Sequence, residues 1–300
     1  MANVLILLPL PEPIRNQYRD RLRNRFPGIT IELVDHHSKV GPYIGKADAL
    51  ITFAPMLSSE VLAAATRLKW VQALGTGVDN LIDQPALRQD VIVTNMRAIH
   101  GAPVSEAALA GMLALARGAS PGYSCASRTA MAPLSSAAST SQDGRHIRRR
   151  PDRRDFGAEM QGFRHARGRR DLGAGHWRFR FPDLVNPTDN RHTKQHRCRV
   201  IAAMKPTSYL INLARGGVVD EAALIEALAK GRIAGPALDV FNQEPLPADH
   251  PFWSMSNVII TAHQGGFCDV YVDHALPTIE ANLERFLKGD YNGMINVVAH

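Results

Sequence analysis

Short apolar runs, broken at near-regular intervals by polar stretches with helical spacing, organise most of the chain. Residues 4–8 form an apolar run with β-branched Val4 and Ile6, stopped by Pro9. Residues 14–26 have helical spacing, and 29–34 alternate as a strand does. Residues 49–53 and 70–74 predict two more strands, with a helix over 59–65 between them that Ser58 or Ser59 can cap. A strand is predicted at 91–94. Pro103 then opens a helix over 104–117, rich in Ala, Leu and Met. After residue 200 the rhythm resumes: strands at 209–213, 233–240 and 258–261, a helix at 221–230 ended by Gly231, and a long helix at 272–288. Strands alternating with helices predict an α/β chain with parallel sheets covered on both faces.

Length and composition fit this picture. Three hundred residues suffice for two domains, and 45% hydrophobic with 21% charged residues describes a globular chain with sizeable cores. No run approaches the length of a membrane span. Residues 4–10 lack a basic leader and a small-residue cleavage site, so they read as a first strand rather than a signal peptide. Cys125, Cys198 and Cys268 are too few and too scattered for a disulfide framework or a zinc site, and no metal is expected. A cytoplasmic protein with no membrane partner follows as the expectation.

Charge divides the chain. Residues 118–198 hold 15 Arg and one Lys against six Asp and one Glu, a balance of +9 in a chain of net charge +7. The same segment has only five Ile, Leu or Val (Leu134, Ile147, Leu172, Leu184, Val185), too few for buried parallel strands.

Four stretches follow predicted strands and carry candidate chemistry. At 75–80 (GTGVDN) two glycines let backbone N–H groups approach an anion. At 212–217 (NLARGG) Arg215 stands just past a strand end, where open α/β sheets bind ligands. Residues 238–247 (LDVFNQEPLP) bring Asp239 and Glu244, and 261–266 (TAHQGG) bring His263 with two glycines. An Arg fork holds a carboxylate bidentately, a His moves a proton at neutral pH, and a carboxylate beside it orients the ring. That set fits reduction of a 2-keto acid or oxidation of a 2-hydroxy acid. Each residue alone has a plainer reading: a surface Arg, a turn histidine, a solvated loop acid. Their order and spacing together outweigh it.

At these residues, over about 1–117 and 200–300, the chain resembles the D-isomer-specific 2-hydroxyacid dehydrogenases. The stretches 214–221 (ARGGVVDE) and 238–247 are the most specific. The resemblance implies a flavodoxin-like substrate domain from 1–100 with 271–300, and a Rossmann-type dinucleotide-binding domain over 101–270. It implies catalysis by Arg215, Glu244 and His263, with Arg215 on the substrate carboxylate, His263 as proton donor and Glu244 paired with it. Gly75, Thr76 and Gly77 would bind substrate beside Arg215; Thr76, Leu213, Asp239, Gly265 and Gly266 would line NAD or NADP, Asp239 holding the nicotinamide carboxamide. A homodimer is expected on the same ground. Ala262 stands where the family usually has Pro.

The larger departure is a missing G-x-G-x-x-G turn, which would seat the cofactor pyrophosphate on a helix N-terminus. Gly173-Ala174-Gly175 lacks the third glycine. The length between the matching flanks is nevertheless right, which points to residues 118–198 being read in the wrong frame. Shifting the frame by one base permits glycines at the codons of Arg148, Arg150 and Arg153, flanked by apolar choices. Over 186–198 it permits a continuation running sensibly into 200–204. The codons of Asp171 and Leu172 then permit no acid where one would hold a ribose, a lean toward NADP. In the frame as it stands the segment is expected to be irregular and the enzyme inactive. The alternative is a catalytically dead relative whose Arg-rich segment binds nucleic acid; for the dehydrogenase itself nucleic acid is not an expected partner.

Overall fold

The computed structural model describes residues 1–53, 57–79, 81–118 and 200–298. The Arg-rich segment, its missing glycine turn and the cofactor lean drawn from codons 171 and 172 lie outside them. Described residues fall into two compact units, one holding Met1–Gly101 and Phe267–His300, the other formed between Ala102 and Gly266.

The first unit is a parallel five-stranded sheet: β1 (Asn3–Leu7), β2 (Thr30–Val34), β3 (Ala49–Thr52), β4 (Trp70–Ala73) and β5 (Ile92–Thr94), in the order β2-β1-β3-β4-β5. That order is flavodoxin-like, with α1 (Glu12–Arg25), the short α2 (Gly41–Ile44) and α3 (Ser59–Ala64) in the crossovers. Strands β1, β3 and β4 run Val4↔Ala49 and Ala49↔Trp70 in register, and β3 and β4 are buried at every position, as strands covered on both faces must be. Ser58 caps α3 by accepting the Val61 N–H at 3.4 Å.

One face of β1 packs Val4 and Ile6, with Leu8 just past its end, against the closing helix α6 (Tyr271–Lys288), which follows α4 and α5 in the chain. Its buried positions Ala275, Ile279, Leu283 and Phe286 recur at helical spacing, with Tyr271 and Leu276 beside them. Asn282 is buried on this face, donating to Gln72 Oε1 and the Ile295 carbonyl (both 3.0 Å) and accepting the Ile295 N–H. Thr94 Oγ1 also donates to Gln72 Oε1 and accepts from Trp70 Nε1. A closed polar network of this kind avoids the cost of orphaned buried groups and fixes the C-terminal segment on the sheet.

The second unit begins in α4 (Gly101–Ala116) and holds a three-stranded parallel sheet among its described residues: β6 (Tyr209–Asn212), β7 (Gly235–Leu238) and β8 (Ile259–Ile260), in that order. Between β6 and β7 runs α5 (Glu221–Ala229), capped by Asp220, whose carboxylate accepts the Ala223 N–H at 3.0 Å. Leu224, Leu228, Ile233, Phe241, Phe252 and Ile260 form its core.

Most element ends shift by a residue or two from the sequence expectation, and three differences have a physical reason. Helix α4 starts at Gly101, ahead of Pro103, because the first-turn N–H groups have no intrahelical acceptor to lose. The strand expected over 233–240 shrinks to Gly235–Leu238. It starts at Gly235 where the Asn257 carbonyl lies so close that a Cβ would sit 2.2 Å from it, and ends where Asp239 turns into the site. The four-residue α2 has no periodicity to read.

Candidate active site

Arg215, Glu244 and His263 stand past the ends of β6, β7 and β8, at the carboxyl edge of one parallel sheet. Crossover connections deliver all three loops to the same side, which is why residues far apart in sequence meet there.

His263 is the most constrained of them. Its φ is 51°, in the left-handed region that costs a side-chain-bearing residue about 1–2 kcal/mol. The offset comes from below. The Asp239 carbonyl accepts the His263 N–H at 2.7 Å. The Asp239 carboxylate, 1% exposed, accepts Thr261 Oγ1–H at 2.5 Å and the N–H groups of Gln264 and Gly265, both at 2.8 Å. Hydrogen bonds to a charged acceptor are worth about 1.5–3 kcal/mol each, more than the strain they hold.

The ring meets Glu244, whose Oε2 lies 2.7 Å from His263 Nδ1 while its Oε1 accepts the Phe241 N–H at 2.9 Å. Glu244 is thus fixed by backbone at one oxygen and fixes the imidazole with the other, leaving Nε2 as the outward nitrogen. The ring side chain keeps 43% of its exposure, enough to meet a ligand. Glu244's hydrogen bond and charge raise the His263 pKa above the usual imidazole value, against burial and the Arg215 charge, which lower it. Burial pushes the Glu244 carboxyl up, but His263, the Phe241 N–H and Arg215 outweigh it and leave it below its usual range.

Arg215 has an extended backbone and donates from Nη1 to the Ala214 carbonyl at 2.7 Å. Asn212, 5% exposed, laces its loop: Nδ2 donates to the Arg215 carbonyl (2.9 Å) and Oδ1 accepts the Ala214 N–H (3.2 Å). Gly216 lies against Phe241 so tightly that a Cβ would stand 1.9 Å from the Phe241 carbonyl carbon and 2.4 Å from the Asn242 nitrogen. The Asn242 N–H is in turn held by Glu221 Oε1 at 2.7 Å. Asn212, Gly216, Glu221 and Thr261 therefore place the three chemical residues. Sequence reasoning gave Asn212, Gly216, Glu221 and Thr261 only as parts of motifs, since no pattern reports contacts between loops.

Leu213 and Gly265 meet beside Asp239: a Cβ on Gly265 would lie 3.6 Å from Leu213 Cδ2 and 3.0 Å from Asp239 Oδ2. A side chain there would fill the space, so these residues suit the flat, amide-bearing end of a nicotinamide cofactor. Gly266 follows on the same turn. The residues that would seat the cofactor's phosphates are not among those described. Gly75, Thr76 and Gly77 follow β4 in the other unit, where Met96 N–H donates to the Gly75 carbonyl at 3.0 Å and Asn95 Nδ2 to the Thr76 carbonyl at 2.7 Å.

Fold and site together define an α/β protein with a Rossmann-type NAD-binding domain. Residues 184–265 match the family model described as the D-isomer specific 2-hydroxyacid dehydrogenase NAD binding domain. The chain is 40% identical over 99 residues to glyoxylate/hydroxypyruvate reductase A of Photorhabdus laumondii, covering 33% of this chain and 31% of that one. It is 60% identical over 60 residues to glyoxylate reductase of Thermofilum pendens, covering 20% and 18%. These matches span under a third of each relative's length. The crystal structure of a D-isomer specific 2-hydroxyacid dehydrogenase family protein from Aeromonas salmonicida is similar over 100% of this chain and 99% of its own, with TM-score 0.69 and 26% identity. Over these stretches the chain is similar to the D-isomer-specific 2-hydroxyacid dehydrogenases.

Proposed function

We propose that the site carries out NAD- or NADP-dependent interconversion of a 2-keto acid and a 2-hydroxy acid. The observation that carries this reading is the Glu244–His263 pair, held at 2.7 Å on a strained backbone with Arg215 near enough to bias both pKa values. When bound, the nicotinamide cofactor supplies or accepts the hydride at the substrate's C2. His263 delivers a proton from Nε2 to the carbonyl oxygen in reduction and takes it back in oxidation. Glu244 orients the ring and stabilises its protonated form. Arg215 would hold the substrate carboxylate through its guanidinium fork, and in the first unit the backbone N–H groups of Gly75, Thr76 and Gly77 are the proposed carboxylate binders. Leu213, Asp239, Gly265 and Gly266, with Thr76, line the nicotinamide. Asp239 combines this with supporting the His263 loop, since its Oδ2 accepts one described hydrogen bond.

The same proposal takes 1–100 with 271–300 as the substrate domain and 101–270 as the dinucleotide domain, in a cytoplasmic homodimer. Cofactor choice between NAD and NADP is left open by the described residues. Among them no helix is long and apolar enough to cross a membrane.

Residues 118–198 are proposed to be read out of frame. The test is a fresh read of the coding DNA across codons 115–202. A one-base change near Arg117 and a compensating one near Arg199 would allow the in-frame protein to be made and assayed with glyoxylate and hydroxypyruvate. There, Arg215→Ala and His263→Ala are expected to lower kcat/KM by about 10²–10⁴; near-normal kinetics would refute their roles. The second reading, an inactive nucleic-acid-binding relative, is favoured only by the +9 balance of 118–198. It requires RNA or DNA binding that weakens with salt.

A further inference from the structure

The 75–77 turn is held by more than its own backbone. Thr76 Oγ1 donates to the Met96 carbonyl at 3.2 Å and lies 2.8 Å from Nδ1 of His100. His100 Nδ1 is also 3.0 Å from the Met96 carbonyl. On its other side, Nε2 lies 3.1 Å from the Tyr271 hydroxyl, which in turn donates to the Leu74 carbonyl. The imidazole thus spans from the residue preceding the turn, through Tyr271, to the turn's central side chain and its neighbouring strand end. All of these groups belong to the first unit.

The donors and acceptors fix the ring's state. A carbonyl only accepts, so Nδ1 carries the hydrogen that serves Met96 and Thr76. Burial lowers the imidazole's pKa, against the Met96 carbonyl, which raises it. The neutral ring then leaves Nε2 as an acceptor for the single Tyr271 hydroxyl hydrogen, which it shares with Leu74.

The backbone is bent to make this possible. Ala98, between Met96 and His100, has φ 80° without being glycine. Strain of that kind persists only where surrounding contacts over-determine it. The bend returns His100 onto the carbonyl of the residue four before it. His100 itself stands outside the buried core, half-buried just before α4, and the 75–77 turn is solvent-facing at Thr76.

We propose that His100 is a positioning residue for the anion-binding 75–77 turn, bracing Thr76 against Met96 on one side and against Tyr271 and Leu74 on the other. The proposal rests on the reading of that turn as a carboxylate holder. It does not touch the reacting atoms; it sets where the turn's N–H groups point, and so acts on substrate affinity rather than on the proton transfer at His263.

Two half-replacements separate a brace from simple packing. In His100→Asn the amide nitrogen overlays Nδ1 and keeps the Met96 and Thr76 side. In His100→Gln it overlays Nε2 and meets only the Tyr271 side, donating to the hydroxyl oxygen while that hydroxyl donates to Leu74. On the full chain, heteronuclear NMR follows exchange of the Met96 amide hydrogen, which is bonded to the Gly75 carbonyl, and calorimetry follows the binding of oxalate as a carboxylate probe. His100→Gln is expected to speed Met96 exchange and weaken oxalate binding about tenfold each, the loss of one hydrogen-bonded side. His100→Asn is expected to restore both to within about threefold of the parent.

Equal effects of Asn and Gln, or unchanged exchange in both, would overturn the proposal. So would faster exchange in the Gln variant with oxalate binding intact. Tyr271→Phe keeps the ring packing and removes only the hydroxyl. It guards against a Gln variant that fails to fold and is expected to speed Met96 exchange about threefold; no change there overturns the brace on that side. A parent chain that binds no oxalate while the Gln variant still speeds exchange would support the brace and count against the reading of the 75–77 turn as a carboxylate holder instead.

Discussion

Gly216→Ala tests whether the Arg215 loop and the Glu244 loop are one device. In the parent, a Cβ at this position would stand 1.9 Å from the Phe241 carbonyl carbon and 2.0 Å from its oxygen. Both are backbone atoms, so no side-chain rotation relieves the contact. Ordinary van der Waals contact begins at 3.4 Å, so the loops must part by about 1.5 Å. Overpacking of this kind costs about 1–3 kcal/mol, readable as a lower midpoint in urea unfolding. The shift also moves the Phe241 N–H that holds Glu244 Oε1, and with it the partner of His263. The His263 titration, followed by NMR, is therefore expected to move down toward the ordinary imidazole value in the folded variant. Displacement by about 1 Å of a catalytic group costs about a hundredfold in rate, so the in-frame enzyme should lose activity by that order. A folded Gly216→Ala protein with the parent's unfolding midpoint and the parent's His263 titration would refute the reasoning.

Four further outcomes follow from the site's geometry. Glu244→Gln removes the charge and lowers the His263 pKa; an NMR titration identical to the parent's would contradict the pairing. With its pKa raised when folded, His263 contributes stability at low pH that is lost as pH rises through the folded value. Glu244, with its pKa lowered, contributes stability that is lost as pH falls through its folded value, so the pair stabilises most between the two. Asn212→Ala leaves the part-buried Arg215 carbonyl and Ala214 N–H without their side-chain partner and should cost about 1 kcal/mol in urea unfolding, against no change if the lacing is incidental. Asp239→Asn turns an amide nitrogen toward donors at Gly265 or Gln264, releasing the strained His263 loop. Its stability should fall by about 2 kcal/mol, and retention of full stability would show that the carboxylate is not what holds φ 51°.

Much of the fold was legible because the strands are apolar runs. Val4, Leu5 and Ile6, like Leu50 and Ile51, are nearly continuous hydrophobics, as a sheet covered on both faces requires. The periodic helices at 12–25 and 271–288 were equally visible, within a few residues at each end. What was not legible depended on close approach: the early end of β7 at Leu238 follows from the turn into Asp239, and the four-residue α2 carries no period. The candidate reactive residues could be read by type, since Arg, Glu and His after strand ends are chemically informative. Their supports could not. Asn212 looks like any strand-end polar residue, Glu221 like a first-turn acid, and the crowding at Gly216 exists only once two loops have folded together. His100 gave no signal, because its partners Thr76 and Tyr271 are 24 and 171 residues away.

The central claim is that Arg215, Glu244 and His263 serve the cofactor-dependent reduction of a 2-keto acid. Its most direct measurement is loss of reduced-cofactor absorbance when the chain with 118–198 restored to frame is mixed with NADH or NADPH and the 2-keto acids named above. Parent and Arg215→Ala are to be run side by side with the chain as it stands. The account predicts turnover by the restored parent, a loss of about 10²-fold or more in Arg215→Ala, and none in the unrestored chain. A folded, cofactor-binding restored chain that turns over none of these acids would contradict it.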